Sequence, residues 1–299
     1  MNLVNSAIVK FVETLPKSVV RHFANKYIAG DKVEDAVRVT KELNAKGILT
    51  TIDVLGEAVT TKEEAISAKN ECLQVLEMIE KHKLNSNLSV KPTQLGLLLN
   101  EDFCYFQIAE LAEKAKSIGS FVRLDMEDST TTTMIINLFK NLRKQYSNVG
   151  VVLQSYLHRT QDDVKQLTEL QANFRLCKGI YIESPEIAYK DRQKIRDNYI
   201  ESLEVMFDRG AYVGIATHDP YLVDEAKKLI ARKAIDKSRY EFQMLLGVAE
   251  NLRDRINAEG EKIRIYTPFG KDWYLYSMRR LKENPNIAGQ ITKNVFGLN

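Results

Sequence analysis

Short apolar segments rich in β-branched residues recur along the chain, each followed by a longer, charge-rich stretch with helical character. Stretches such as Thr61–Lys81 and Pro185–Arg209 have the length of helices. The predicted strands are Ile48–Val54, Leu88–Lys91, Phe121–Asp125, Gly150–Gln154, Phe174–Lys178, Val213–Thr217, Glu241–Leu245 and Lys262–Tyr266. Because parallel neighbours need a crossover connection, this alternation predicts a parallel sheet. Eight units in one chain of this length favour a closed (βα)8 barrel over an open sheet.

The predicted elements form one domain. Neither a low-complexity linker nor a block of Pro, Gly or Ser interrupts the chain, and only six prolines occur in it. We therefore expect a single domain of 299 residues. Its parts are N-terminal helices in residues 1–45, the barrel with a closing helix in residues 46–285, and a tail in residues 286–299.

Charge and composition narrow the class of protein. The net charge is only +3, from 43 basic and 40 acidic residues that are not gathered in one run, which does not favour nucleic-acid binding. Three scattered cysteines without CxxC spacing are typical of a reducing compartment, so we expect a cytoplasmic protein. No signal peptide or transmembrane helix is expected, and contact with a membrane surface is the less favoured alternative.

Several common motifs are absent from the sequence. It contains neither GxGxxG nor GxxxxGK[ST], so a Rossmann or P-loop nucleotide site is unsupported. The four histidines show no HxxxH or HxH spacing, and we expect no catalytic metal. A GxSxG nucleophile elbow is also missing.

Polar and charged residues mark the carboxyl end of every predicted strand. In order along the chain they are Asp53 and Glu57, Lys91, Asp125 and Glu127, Gln154 and Tyr156, Arg175 and Lys178, Thr217, His218 and Asp219, Gln243, and Tyr266. The interior of such a barrel is expected to be filled with apolar layers, whereas its active site forms at the C-terminal face. Eight polar strand ends therefore predict a site at that face rather than eight solvated loop starts.

Two adjacent arginines follow the last strand. Arg279 and Arg280 lie on a predicted helix, with Glu283 one turn further on. One interpretation is a basic surface helix with an ion pair between Arg279 and Glu283. The other is recognition of a carboxylate, which the two-pronged guanidinium group binds well.

Several segments, taken in order, resemble the proline dehydrogenase family. The most specific are RLCKGIY at Arg175–Tyr181, RIYTPFG at Arg264–Gly270 and YSMRRLKEN at Tyr276–Asn284. Further matching segments are DVLGEA at Asp53–Ala58, SVKPTQLG around Lys91, RLDMED at Arg123–Asp128, VLQSY at Val152–Tyr156, ATHD at Ala216–Asp219 and FQMLLG at Phe242–Gly247. The resemblance covers residues 45 to 285, and the length is similar to the monofunctional bacterial form without an aldehyde dehydrogenase domain.

The resemblance implies a distorted (βα)8 barrel that binds FAD non-covalently at its C-terminal face. It implies that Arg175 contacts the flavin near N5 and that Gln154 contacts the pyrimidine edge. Thr217 and His218 would hold the ribityl, phosphate or adenosine part. The full set of implied cofactor contacts is Met126, Gln154, Arg175, Lys178, Gly179, Ile180, Thr217 and His218.

The resemblance also implies L-proline as the substrate. Its oxidation to 1-pyrroline-5-carboxylate, by hydride transfer to flavin N5, would be the first step of proline catabolism, with a membrane quinone reoxidising the flavin. Asp125 and Arg175 would be catalytic, and we expect Asp125 to lie beside Lys91. The implied substrate contacts are Lys91, Arg279 and Arg280 to the carboxylate, Tyr266 to the pyrrolidine ring, and Glu57 as a gate partner of Arg279.

The chain departs from the family pattern at two places. Ile180, Tyr181 and Ile182 stand where the family often has a small residue and an aromatic pair, which removes one expected stacking contact with the cofactor. Asp219 stands where the family often has Asn, which affects the expected contacts to adenosine.

Two other functions compete with this interpretation. A class I aldolase or transaldolase barrel would use Lys91 or Lys178 as a Schiff-base amine. A non-catalytic barrel would serve as an interaction module.

Overall fold

Eight parallel strands close into a barrel in this computed structural model, which describes residues 20–21, 24–56, 58–274 and 276–278. Each strand pairs with its neighbour in sequence, and the first pairs with the last. The strands are β1 Leu49–Val54, β2 Ser86–Val90, β3 Val122–Leu124, β4 Val149–Gln154, β5 Asn173–Cys177, β6 Tyr212–Ala216, β7 Tyr240–Leu245 and β8 Ile263–Phe269. The predicted (βα)8 barrel is confirmed, and every predicted strand overlaps an observed one.

Helices alternate with these strands. Their bounds are α1 Val33–Asn44, α2 Lys62–His82, α3 Glu101–Ser117, α4 Thr132–Arg143, α5 Thr160–Thr168, α6 Arg192–Asp208, α7 Pro220–Arg232 and α8 Glu250–Ala258, with short 3-10 helices at Pro92–Leu95 and Lys237–Arg239. Capping explains several of the helix starts. Thr61 and Glu64 form a capping box before α2, and Asn100 accepts a hydrogen bond from the Phe103 amide before α3. Within the described ranges, no helix is long and apolar enough to cross a bilayer.

The helix that precedes the barrel covers the seam where the barrel closes. α1 packs against both β1 and β8, on the outer face where the helix after β8 lies in a regular barrel. The chain after β8 instead places Trp273 and Tyr276 against Ile28 and Leu55, and Leu55 directly follows β1. The start of the closing segment therefore lies at the C-terminal end of the barrel.

The barrel interior is polar, so the expectation of apolar interior layers is wrong. Side chains on non-neighbouring strands meet there, as when Arg175 of β5 reaches Asp125 after β3. The apolar residues at alternate strand positions belong instead to the core shared with the helices, as Ile52, Leu124 and Phe174 illustrate. Successive strand residues point to opposite faces, so here the polar set faces inward and the apolar set packs under the helices.

Arg123 shows how such an interior remains stable. This arginine is 2% exposed, and it donates hydrogen bonds to the backbone carbonyls of Val151 and Asn173. Gly150 provides the space, since a Cβ at that position would lie 2.4 Å from Arg123 Nη1. A buried charged group needs such hydrogen bonds, because desolvation without them costs several kcal/mol, on the order of 2–7 even for a neutral polar group.

Candidate active site

Asp125 lies at the centre of the polar cluster at the C-terminal end of the barrel. Its Oδ1 accepts hydrogen bonds from Arg175 Nη1 at 2.7 Å and from Ser89 Oγ at 2.7 Å. Its Oδ2 accepts a hydrogen bond from the Tyr266 hydroxyl at 2.7 Å. The Arg175 guanidinium also lies 5.2 Å from the centroid of the Tyr266 ring. Four strands thus converge on one carboxylate, which fixes both the guanidinium and the phenol.

Lys91 pairs with a second carboxylate. Val90 and Leu124 are in register, so Lys91 and Asp125 follow on neighbouring strands at the same end of the barrel. The direct partner of Lys91 is nevertheless Asp53 of β1, with Nζ and Oδ1 2.7 Å apart. Both oxygens of Asp125 already accept other donors, which explains this choice of partner.

The protonation states of this pair follow from burial and charge. Burial alone would lower the pKa of Lys91, but Asp53 and Asp125 raise it above its ordinary value. Burial raises the pKa of Asp53, and the charge of Lys91 opposes that shift. Lys91 is therefore an ammonium group at neutral pH, ready to bind an anion.

Gln154 presents an unsatisfied acceptor. The side chain is 2% exposed, and its Nε2 lies 3.4 Å from the Met126 carbonyl oxygen and 3.3 Å from that of Glu127. Its Oε1 is buried, and none of the described residues donates a hydrogen bond to it. Buried polar atoms normally have partners, so this oxygen indicates a ligand that donates an N–H or O–H group.

The segment after β5 forms one wall of the site. Gly179 has φ of 105°, and a Cβ there would lie 2.2 Å from the ring of Tyr156, so glycine is required for this close approach. Ile180 is 40% exposed, and Ile182 is fully exposed. Lys178 pairs with Asp219 at 3.3 Å.

Thr217, His218 and Asp219 follow β6. The Thr217 hydroxyl oxygen accepts from the Asp219 amide at 3.1 Å, and His218 Nε2 accepts from the Leu245 amide at 2.8 Å. Asp219 accepts two hydrogen bonds from Arg196, at 2.8 and 2.9 Å. Burial alone would raise the pKa of Asp219, but Arg196 and Lys178 lower it to about 2. Asp219 therefore anchors α6 to the start of α7.

Two glutamates join the loops at this end. Glu127 accepts from the Thr93 amide and hydroxyl, which ties the segment after β3 to the one after β2. Glu183 accepts from the Ser129 amide at 2.8 Å, which ties the segment after β5 to the one after β3. These bonds restrict the loops around the site.

The predicted site residues separate into three groups. The structure brings Lys91, Asp125, Arg175 and Tyr266 into one cluster. The predicted cofactor residues lie at or just after the carboxyl ends of β3, β4, β5 and β6: Met126, Gln154, Lys178, Gly179, Ile180, Thr217 and His218. Glu57, Arg279 and Arg280 lie outside the described residues, so their predicted roles remain predictions.

The sequence placed Asp53 and Gln243 among the polar strand ends without giving either a role, and Ser89 was not predicted at all. Gln243 Oε1 accepts a hydrogen bond from Arg175 Nε at 2.6 Å, and Ser89 shares Asp125 with Arg175. A signal was available in the alternation of polar and apolar residues along each strand. Residues two positions before a strand-end polar group share its face, which places Ser89 with Lys91.

The positions of Gln154 and Arg175 suit a conjugated ring that carries both hydrogen-bond donors and hydrogen-bond acceptors. Gln154 offers a free acceptor, and Arg175 Nη2 donates to no described residue. The N–H and carbonyl groups of a flavin ring complement these two groups. Within the described part of the chain, no cluster of three or more His, Cys, Asp or Glu side chains could hold a metal ion.

Comparisons with known proteins agree with this geometry. The family model described as "Proline dehydrogenase" matches residues 36–293. Proline dehydrogenase 1 of Bacillus subtilis is 33% identical over 292 residues, covering 98% of this chain and 96% of that protein. Proline dehydrogenase 2 of the same species is 37% identical over 266 residues, covering 89% and 88%.

A solved structure shares the fold. Proline utilization A from Bdellovibrio bacteriovorus, inactivated by N-propargylglycine, superposes with a TM-score of 0.82 at 25% identity. The match covers 89% of this chain and 33% of that longer protein.

Proposed function

Since this chain belongs to the proline dehydrogenase family, we propose that it binds FAD non-covalently and oxidises L-proline at C5. The product would be 1-pyrroline-5-carboxylate, formed in the first step of proline catabolism. The observation that carries this proposal is the pairing of Asp125 with Arg175 at the same end of the barrel as the unsatisfied Oε1 of Gln154. A fixed cation, Arg175, and a fixed acceptor, Gln154, at one end of the barrel fit both a flavin ring and a small zwitterion.

The cofactor would be held by the wall described above. Gln154 would accept a hydrogen bond from the ring, and Arg175 would donate one through Nη2. Met126 and Lys178–Ile180 would line the ring and its chain, whereas Thr217 and His218 would hold the ribityl, phosphate or adenosine part. When bound, FAD would accept the two electrons that leave proline with the hydride.

Charged groups would hold the substrate. Lys91, together with Arg279 and Arg280 from the predicted closing helix, would bind the carboxylate, and Tyr266 would pack on the pyrrolidine ring. Fixing the ring at two places limits the positions of C5, so the reaction would gain from orientation. Proline must also lose an ammonium proton before C5 can release a hydride. Glu57 would close the site through Arg279.

Electrons would leave through a quinone, with the protein at the inner face of the membrane during that step. This part of the proposal rests on the family resemblance, and the described residues supply only the absence of a spanning helix.

The electrostatics disfavour the Schiff-base alternative. A Schiff-base lysine must be a neutral amine, which requires a lowered pKa. The pKa of Lys91 is raised instead, because Asp53 and Asp125 outweigh the effect of burial. Lys178 is paired with Asp219.

Purified protein tests the proposal directly. It should show flavin absorbance bands, release FAD on denaturation, and reduce a dye acceptor in the presence of L-proline. N-propargylglycine, with which the Bdellovibrio protein was inactivated, should inactivate this chain over time, and L-proline should slow that loss. Colourless protein that cannot be reconstituted with FAD would overturn the proposal.

A further inference from the structure

Arg175 is held along two edges of its guanidinium group. Nη1 donates to Asp125 Oδ1 at 2.7 Å and to Ser89 Oγ at 3.2 Å, while Nε donates to Gln243 Oε1 at 2.6 Å. A guanidinium bonded only through Nη1 can rotate about that contact. The bond at Nε fixes the plane, and therefore fixes the direction of the remaining nitrogen, Nη2.

Gln243 can accept the hydrogen bond from Arg175 Nε in only one orientation of its side-chain amide. Its Nε2 donates to Glu241 Oε1 at 2.6 Å. Because an ionised carboxylate only accepts hydrogen bonds, the NH₂ group must face Glu241 and Oε1 must face Arg175. Burial alone would raise the pKa of Glu241, but Arg264 lowers it through bonds of 2.6 and 3.0 Å, which keeps this carboxylate ionised.

The neighbouring strand β6 leaves space for this amide. Gly214 of β6 is in register with Glu241, and a Cβ at position 214 would lie 2.4 Å from Gln243 Nε2. Arg264 is itself anchored by a bond of 2.7 Å to the Thr50 carbonyl. The chain of contacts thus runs from β1 through β8 and β7 to Arg175.

We propose that Gln243 is a positioning residue that sets the orientation of Arg175, with Glu241 selecting its amide orientation and Gly214 giving it room. Gln243 is 5% exposed and bonded at both ends of its amide, so it acts through Arg175 and not on a ligand. The consequence for reaction rests on the proposed function, because it assumes that Arg175 faces the bound flavin.

The test compares Gln243→Met with Gln107→Met. Methionine has a similar length but neither donates nor accepts at these positions. Gln107 is 7% exposed on α3, and its Nε2 has no partner among the described residues, so its replacement controls for loss of a buried amide. We expect Gln243→Met to lower kcat about ten-fold with KM changed by less than about three-fold, whereas Gln107→Met leaves both near wild type.

Two further readouts are independent of turnover. The Arg175 Nε–H resonance, assigned by its loss in Arg175→Lys, should shift and exchange faster with solvent in apo Gln243→Met. The midpoint potential of bound FAD should also change, because the position of a cation beside the ring sets how well the reduced form is stabilised.

Gln243→Glu provides a conservative rescue. A protonated glutamate has one accepting oxygen and one donating hydroxyl, as the amide has one acceptor and one donor. The ionised Glu241 acts to raise the pKa of this carboxyl, since two neighbouring carboxylates resist double ionisation, while Arg175 Nε, bonded to the same side chain, acts to lower it; once the carboxyl ionises, the donor to Glu241 is lost. We expect kcat of this variant to approach wild type at low pH and to fall as pH rises, a profile absent from wild type.

The outcomes separate the two proposals. Wild-type protein without FAD or proline oxidation would overturn the proposed function, while the apo resonance would still test Gln243. Active wild type with unchanged kcat, potential and Arg175 Nε resonance in Gln243→Met would overturn the positioning role. A Gln243→Met variant that lost only thermal stability would do the same.

If Gln243→Met does not fold, Gly214→Ala provides a second test, because the added methyl group crowds the same amide. Gly214→Ala should reproduce the kcat loss and the shift of the Arg175 Nε resonance. An unaltered Arg175 Nε resonance in this variant would overturn the inference.

Discussion

Arg175 and Asp125 form an ion pair of 2.7 Å across the barrel, between β5 and the end of β3, with the whole of β4 between them in sequence. The side chains are only 8% and 14% exposed. Neither group could be buried alone at reasonable cost, since breaking a buried pair by removing one partner costs about 3–5 kcal/mol. Each residue thus provides the counter-charge that the other needs when buried at this position.

Replacement of Asp125 should therefore affect both stability and activity. In Asp125→Ala we expect a loss of about 3 kcal/mol in the free energy of unfolding, and a fall of about 100-fold or more in kcat/KM, because Arg175 and Tyr266 lose their common acceptor. Urea unfolding and dye-coupled proline oxidation measure the two effects. Unchanged kcat/KM would mean that this pair supports the fold alone.

Tyr266→Phe isolates one of these bonds. It removes the hydroxyl that donates to Asp125 and keeps the ring near Arg175, so kcat/KM should fall about 2- to 10-fold. Tyr240→Phe is the matched control, since its hydroxyl donates to Glu261 at 2.8 Å, at the opposite end of the barrel. Equal turnover in the two variants would contradict a role for the Tyr266 hydroxyl.

The unsatisfied oxygen of Gln154 predicts a defect in cofactor binding. Gln154→Leu should weaken FAD binding about 2- to 10-fold, the effect of one neutral hydrogen bond. Titration of apoprotein with FAD, followed by flavin fluorescence, measures the dissociation constant. Gln161→Leu on α5, where the amide bonds to Asn198, should bind FAD as wild type does. Identical affinities would remove Gln154 from the proposed flavin site.

The paired arginines offer a prediction from sequence alone. If Arg280 binds the proline carboxylate, Arg280→Met should lower kcat/KM about 10- to 150-fold, with FAD content unchanged. Steady-state kinetics at low proline and the flavin spectrum provide the measurement. Full activity at low proline would restore the surface-charge interpretation of that helix.

Arg279 and Glu57 are predicted to act together. Glu57→Ala should reduce kcat/KM less in an Arg279→Met background than in wild type, because the proposed partner is already absent. Additive effects in this double-mutant cycle would refute the gate.

Asp219 predicts a stability difference that depends on pH. Its pKa of about 2 lies below the ordinary value of 3.8. A lowered pKa stabilises the folded state above the ordinary value, and this contribution disappears as pH falls towards the folded value. Asp219→Asn should therefore destabilise the protein by about 1–3 kcal/mol near pH 7 and by less near pH 3.

Chemical denaturation at the two pH values provides the measurement. Asp208→Asn at the end of α6, which loses an exposed pair with Lys233, should change stability by less than about 0.5 kcal/mol at either pH. If the destabilisation caused by Asp219→Asn grew as pH fell, that result would contradict the ion pairs assigned to Asp219.

The barrel and the polar cluster at its C-terminal end could be predicted from sequence, because strand spacing and polar strand ends are local patterns. Arg264 and Tyr266, two positions apart on β8, even show the inward polar face. The partner of Lys91 could not be predicted, since Asp53 and Asp125 lie on its two neighbouring strands and the choice depends on which oxygens are already occupied. The position of Gly150 under Arg123 likewise depends on contacts across the barrel that no local pattern reveals.

The seam sealed by α1 has a consequence for how the chain acquires its structure. During synthesis α1 and β1 emerge early, yet the strand that both contact, β8, follows about 220 residues later, so this closure has a high contact order. Until β8 is made, one edge of β1 has no partner strand, and the part of α1 that packs on β8 has no neighbour. The nascent barrel therefore exposes an unpaired strand edge while the residues between β1 and β8 are translated, and chaperones would be expected to protect this edge.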